Sequence, residues 1–346
     1  MKKVSVLGHF AFGRNELNGQ TIKTKIVTEE LENRFGAEDM LKIDTAGGIK
    51  TLLKAPFQVL KALRRGENVL IFPAHNGVRI YAPLLSFFKR FFKDRRIHYV
   101  VIGGWLPEFL ESRRGLRRSL KGFDGIYVET EMMKKALEKY GFSNTLVVPN
   151  CKKLASVCKS EAQYLTGQPY RLCTFSRVMK EKGIETAIKA VERANAELGR
   201  KAFALDIYGQ VDSCQREWFD ALCVGFPDFI RYAGIVPFDR SVEVLKDYFA
   251  LIFPTYYEGE GFAGTLIDAF SAAVPVIASD WKYNTEIVNE AVGYVFPARD
   301  TDALVGILKM VADDPDLLLS KRSVCLDEAE KYAIDKAIVP LLERLR

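Results

Sequence analysis

Eleven short apolar runs rich in β-branched residues punctuate this chain, and helix-like segments separate most of them. This alternation constrains the fold more than any other feature. A short continuous apolar run is a strand covered on both faces, and a strand–helix–strand rhythm builds a parallel sheet. "KVSVLGHF", "NVLIFPAH", "IHYVVIGGW", "GIYVETE" and "TLVVPN" form a first series; "RLCTFSRV", "FALDIYGQV", "IRYAGIV", "FALIFPTY", "VPVIASD" and "GYVFP" form a second. Between them, near Asn150, "CKKLASVCKSEAQYLTGQPY" is polar and lacks a strong period, so a linker is expected there. "GRNELNGQTIKT" reads as a loop after the first strand and "KIVTEELENRFG" as the first helix. The last segment, "VCLDEAEKYAIDKAIVPLLERLR", reads as helical with a kink near Pro340. The expected architecture is α/β with two Rossmann-like domains facing a central cleft, spanning 1–165 and 166–330, and a helix over 331–346 returning to the first.

With 346 residues, 48% hydrophobic and 27% charged, the chain has the composition of an ordinary globular protein large enough for two cores. No stretch reaches about 18 uninterrupted apolar residues, the length a membrane span requires. The six cysteines form no CxxC pair, which argues against a disulfide framework and a structural zinc and predicts a reduced, cytoplasmic protein. Charge is localised: Leu84–Lys121 holds ten Lys/Arg against three Asp/Glu, an excess of +7 where the whole chain carries +6. One basic region on a near-neutral chain suggests an anionic surface or partner rather than nucleic acid. Within it, Leu84, Phe87, Phe88 and Phe91 fall at helical spacing beside Lys89, Arg90 and Lys93. That pattern fits a helix lying in an anionic membrane interface, or equally one packed on its own sheet.

"EGEGFAGTLIDAFSAAVPVIASDW", from Glu258 to Trp281, carries the chemistry. A loop acid, Glu260, precedes glycines at 261 and 264 and a helix expected to start near Thr265, with Asp268 in its first turn. A helix start offers unpaired N–H groups and partial positive charge to a phosphate, and acids on either side can accept from hydroxyls. A nucleotide-sugar presents those groups in that order. Thr265-x-x-Asp268 also fits a capping box, in which Asp268 only satisfies backbone donors.

"FPTYYEGEGFAGTLIDAFSAAVPVIASDWKYNTEIV" resembles the donor-binding signature of retaining glycosyltransferases of family 4, which have the GT-B fold. In that family two glutamates stand eight residues apart; here they are Glu260 and Asp268, with the second side chain shortened. The resemblance implies that Glu260 binds the donor sugar's hydroxyls. It gives Phe262, Ala263 and Gly264 backbone roles at the sugar, Thr265 and Leu266 at the distal phosphate, and Asp268 the ribose. "SRVMKEKG" resembles the family's Arg-x4-Lys-Gly word, so Arg177 and Lys182 would neutralise the diphosphate, with Ser176 where glycine is usual. Gly209 and Ile235–Val236, at the ends of "IYGQVD" and "YAGIVPFDR", would contact the base, and Gly19 the donor phosphate or the acceptor. His75 is a candidate at the reacting sugar; relatives carry such a histidine on the following strand, where this chain reads Gly103-Gly104-Trp105. Asp300-Thr301-Asp302 reads as a helix N-cap, and no metal is expected.

The function so implied is metal-independent, retaining transfer of a hexose-type sugar from a nucleoside-diphosphate sugar, UDP favoured over GDP, to a glycan or polyprenyl-linked acceptor. Cell-surface polysaccharide assembly (capsule or lipopolysaccharide) at the inner face of the membrane is the expected setting, with no cofactor beyond the co-substrate. A non-catalytic donor-binding subunit, or another enzyme of this fold such as an epimerase, stays open.

Overall fold

A computed structural model describes residues 1–13, 19–48, 51, 53–153, 155–162 and 167–345. It resolves into two compact units, Met1–Lys153 with Tyr332–Arg346, and Leu154–Lys331. Each holds a six-stranded sheet whose pairings are all parallel. The expected boundary at 165/166 lies outside the described residues. The preceding segment already belongs to the second unit, because Val157 N–H donates to the Ser271 carbonyl and Ala162 packs on Ala273 and Leu326.

In the first unit the strands are β1 (Lys2–Gly8), β2 (Met40–Asp44), β3 (Gly66–Ile71), β4 (Arg96–Val100), β5 (Gly125–Val128) and β6 (Thr145–Val147), in the order β2-β1-β3-β4-β5-β6. β2 was not expected. Its "MLKID" alternates burial and sits at the sheet edge, so it lacks the unbroken apolar signature of a central strand. Val4, Val6 and Leu70 pack with Val27 and Leu31 of the helix Gly19–Phe35 and with Ile338, Leu341 and Leu345 of the terminal segment. Each such fully buried side chain contributes roughly 1.5–3 kcal/mol. The terminal segment is broken into short helices, Ile334–Ala337 and Val339–Arg344, and Pro340 stands in the first turn of the second, where its missing N–H costs nothing.

The second unit comprises β7 (Tyr170–Phe175), β8 (Phe203–Tyr208), β9 (Ile230–Gly234), β10 (Ala250–Phe253), β11 (Val276–Ser279) and β12 (Gly293–Phe296), ordered β12-β11-β10-β7-β8-β9. Leu205 and Ile207 meet Ile184, Ile188 and Val191 of the helix Ile184–Glu197, and Leu304, Leu308 and Val311 of the helix Thr301–Asp313. Asp206 points its carboxylate into a polar cluster instead, accepting from Arg171, Arg231 and the Tyr248 hydroxyl.

Two expectations need correction here. Gly19 lies in the helix Gly19–Phe35 rather than in a loop; residues 14–18 lie outside the described residues. The helical stretch reads poorly because its inward face is polar: Thr21, Lys23, Thr24 and Thr28 are buried, and Lys23 Nζ lies 2.6 Å from Glu129 Oε1. His75 likewise opens the helix His75–Phe88 instead of ending a strand, since β3 stops at Ile71 and Pro73 lacks the donor to extend it.

Candidate functional site

The strand order of the second unit reverses between β10 and β7, and an open parallel sheet holds its ligands in the crevice at such a switch point, beyond the carboxyl ends of the strands. A cavity of about 290 Å³ lies there. Phe175, Ser176 and Arg177 line it from the end of β7, and Met179 and Lys182 from the next turn. Phe253, Tyr257 and Glu260 line it from β10 and its loop, and Ala263, Gly264 and Thr265 from the start of the helix Gly264–Ser271.

Lys182 closes a short 3-10 turn, Lys180–Lys182, ended by Gly183 at φ 72°. A Cβ on Gly183 would sit 2.1 Å from the Pro254 carbonyl oxygen, so only glycine lets this turn rest on the loop after β10. That approach brings Lys182 Nζ to 2.5 Å from Glu260 Oε2, with the two side chains only 13% and 8% exposed. The ammonium also faces the rings of Tyr257 and Phe253, 5.1 and 5.8 Å from their centroids. Thr255 Oγ1 donates to the same oxygen, Oε2, at 2.7 Å. Arg177 is more open and lies 3.7 Å from Asp212.

The helix begins at Gly264, one residue before the expected start, with Ala263 in the N-cap position and no side-chain cap. The capping box is therefore not formed. Thr265 Oγ1 is buried without a hydrogen-bond partner among the described residues. Asp268 is buried in the second turn rather than the first. Phe262 and Leu266 turn their side chains into the core, so only their main-chain groups could meet a ligand. Gly209, at φ 135°, and Ile235 and Val236 stand after β8 and β9 and do not line this cavity. A Cβ on Gly209 would fall 1.7 Å from the Ser176 carbonyl oxygen, so this glycine packs the turn beside Arg177.

In the first unit, the His75 ring lies 3.9 Å from Trp105 and edge-on to Phe109 at 5.2 Å. Burial, and then the charge of Arg113, hold its pKa below the usual value. Asp300 caps the helix Thr301–Asp313 by accepting from Ala303 N–H, and Asp302 pairs with Arg193. Among the described residues no three His, Cys, Asp or Glu are grouped to hold a metal ion. Sequence reasoning missed Thr255, Phe253 and Tyr257 as parts of the site. Their signal was the run "IFPTYY" directly before the Glu260 loop.

Residues 169–314, within the second unit, match the family Glycosyl transferases group 1. The GtfA subunit of the UDP-N-acetylglucosamine–peptide N-acetylglucosaminyltransferase of Streptococcus agalactiae is 28% identical over 167 residues, 48% of this chain and 32% of its own length. The chain thus spans about a third of the curated relatives it matches first. Among solved structures, sucrose-phosphate synthase from Thermosynechococcus elongatus superposes with a TM-score of 0.77 at 14% identity, covering 99% of this chain and 98% of that one. The UDP complex of Anabaena HepE gives a TM-score of 0.75 at 13% identity, covering 100% and 99%. The fold is that of GT-B proteins, two Rossmann-like domains with parallel sheets.

Proposed function

We propose that this chain is a retaining, metal-independent glycosyltransferase that moves a hexose-type sugar from a nucleoside-diphosphate sugar, UDP favoured, to a glycan or lipid-linked acceptor in cell-surface polysaccharide assembly. One observation carries the reading: Lys182, Glu260 and Arg177 share a switch-point cavity with an uncapped helix start bearing the orphan hydroxyl of Thr265. A buried hydroxyl without a partner is uncommon and is accounted for by a ligand that supplies one. The match of residues 169–314 to the family supports the same assignment.

In this reading Arg177, Lys182 and the amides at Gly264–Thr265 stabilise the charge that builds on the departing diphosphate. Glu260 orients the sugar through its hydroxyls, Asp268 accepts from the ribose, and Gly209, Ile235 and Val236 serve the base. Most of the rate comes from positioning and charge stabilisation, with the departing phosphate assisting the incoming hydroxyl. Gly19, after β1, is assigned to the donor phosphate or the acceptor, and His75, after β3, to the reacting sugar. Transfer from labelled UDP-glucose and UDP-N-acetylglucosamine in EDTA tests the scheme. Arg177→Ala and Lys182→Ala should each lower the rate by about 100-fold, and near-normal rates in both variants would remove its basis.

The first unit supports membrane contact. Among the described residues no helix is long and apolar enough to cross a bilayer. Phe87 and Phe91 are 51% and 71% exposed, in edge contact at 5.9 Å, with the Arg90 guanidinium 6.0 Å from the Phe87 ring. The expected stripe divides: Leu84 and Phe88 are half-buried, whereas Phe87 and Phe91 face solvent beside cations, as an interfacial anchor does.

A further inference from the structure

Behind the cavity, a line of buried polar groups runs from β11 to the carboxylate at its centre. Asn284 Nδ2 donates to the Ser279 carbonyl at 3.0 Å, Ser279 Oγ donates to the Thr255 carbonyl at 2.5 Å, and Thr255 Oγ1 donates to Glu260 Oε2 at 2.7 Å. Asn284, Ser279 and Thr255 are all 0% exposed. The Thr255 hydroxyl accepts from Tyr257 N–H at 3.2 Å, and of the two oxygens it faces, Glu260 Oε2 at 2.7 Å is much nearer than the Glu181 carbonyl at 3.4 Å, so its proton goes to Glu260. Lys182 Nζ also donates to this carboxylate oxygen, at 2.5 Å. Oε2 therefore has two donors, while Oε1 has none among the described residues.

We infer that Thr255, braced by Ser279, is a positioning residue that divides the labour of the Glu260 carboxylate. Oε2 is fixed internally, and Oε1 is the acceptor aimed at a hydroxyl of the donor sugar. The inference rests on the donor-site reading above. The division follows from geometry: a carboxylate on a glycine-flanked loop is free to rotate, and a buried threonine bonded to one oxygen removes that freedom and sets which lone pairs remain. Thr255 touches neither phosphate nor base in this scheme, so its effect is confined to the sugar.

That confinement supplies the test. UDP, UDP-glucose and UDP-N-acetylglucosamine are titrated calorimetrically into the full chain as wild type, Thr255→Val, Thr255→Ser and Ser279→Ala. Thr255→Val should bind UDP as the wild type does but bind the preferred UDP-sugar about tenfold more weakly, the loss of one charge-assisted hydrogen bond. Thr255→Ser should restore most of it, and Ser279→Ala, which keeps the hydroxyl but loosens its brace, should give a smaller loss with the same selectivity. If Thr255→Val fails to fold by circular dichroism, the Ser279→Ala differential decides alone. Equal weakening of UDP and UDP-sugar would show a merely structural role and overturn the inference, as would no weakening of either. A wild type that binds no nucleotide at all overturns the donor-site reading itself, and the positioning role with it.

Discussion

Lys182 and Glu260, 78 residues apart in the chain, form an ion pair of 2.5 Å at the carboxyl edge of the second sheet, with both side chains largely withdrawn from water. The cation proposed for the diphosphate and the acid proposed for the sugar are thus paired with each other. Pairing lets two desolvated charges stand side by side without either being uncompensated.

The pair makes a stability prediction. Lys182→Met leaves Glu260 without its cation and should cost roughly 2 kcal/mol, less than the about 3–5 kcal/mol of a fully enclosed pair because this one borders a cavity. Glu260→Gln in the same chain should recover most of that loss. Urea unfolding of the two single variants and the double variant measures the coupling; additive effects would mean that the pair contributes nothing.

Gly183 sets the height of the Lys182 turn. Gly183→Ala places a methyl 2.1 Å from the Pro254 oxygen in a left-handed conformation. The expected cost is about 2–3 kcal/mol, together with weaker nucleotide binding as Lys182 is lifted from Glu260. An unchanged melting temperature would contradict the packing described.

Stability should fall in mild acid through His98. This ring is buried in the first sheet, 3.0 Å from the Tyr127 hydroxyl, and its pKa is pushed down to about 4 by burial, with Arg96, Lys89 and Arg344 adding to the effect against Asp124. The unfolded chain takes up the proton near pH 6.5 and the folded one only near 4. The contribution is therefore complete above 6.5 and is lost as pH falls between those values, by roughly 3 kcal/mol. His98→Gln should remove that part of the pH dependence, seen as convergence of the wild-type and variant unfolding free energies on going from pH 7 to 4.

Membrane contact predicts sedimentation with liposomes containing phosphatidylglycerol but not with neutral ones, weakened by salt. Phe87→Ser with Phe91→Ser should reduce binding by about tenfold or more, from the apolar surface lost. Equal, negligible sedimentation with both lipids would contradict it.

Much of this was legible in the chain, for identifiable reasons. The strands of the second unit show as apolar runs, β10 and β11 most plainly, because these central parallel strands are buried along their whole length. Glu260 and the helix after it are readable because loop acid, glycines and apolar helix follow each other locally. The pairing of Lys182 with Glu260 was not readable, since it depends on how Gly183 meets Pro254 across two strand ends. That Gly19–Thr24 are helical was hidden by a buried face of threonine and lysine, which carries no hydrophobic period. Thr255 was visible only as part of a motif; its hydroxyl acquires a role once β10 and β11 lie side by side.

The most direct test of the central claim is calorimetric titration of the wild type and Glu260→Gln with UDP-, GDP- and ADP-sugars in EDTA. The account predicts that the wild type selects one donor, UDP-linked, and that Glu260→Gln weakens that sugar-nucleotide while leaving the free nucleoside diphosphate nearly unaffected. Binding of no donor, or equal binding by wild type and variant, would contradict it.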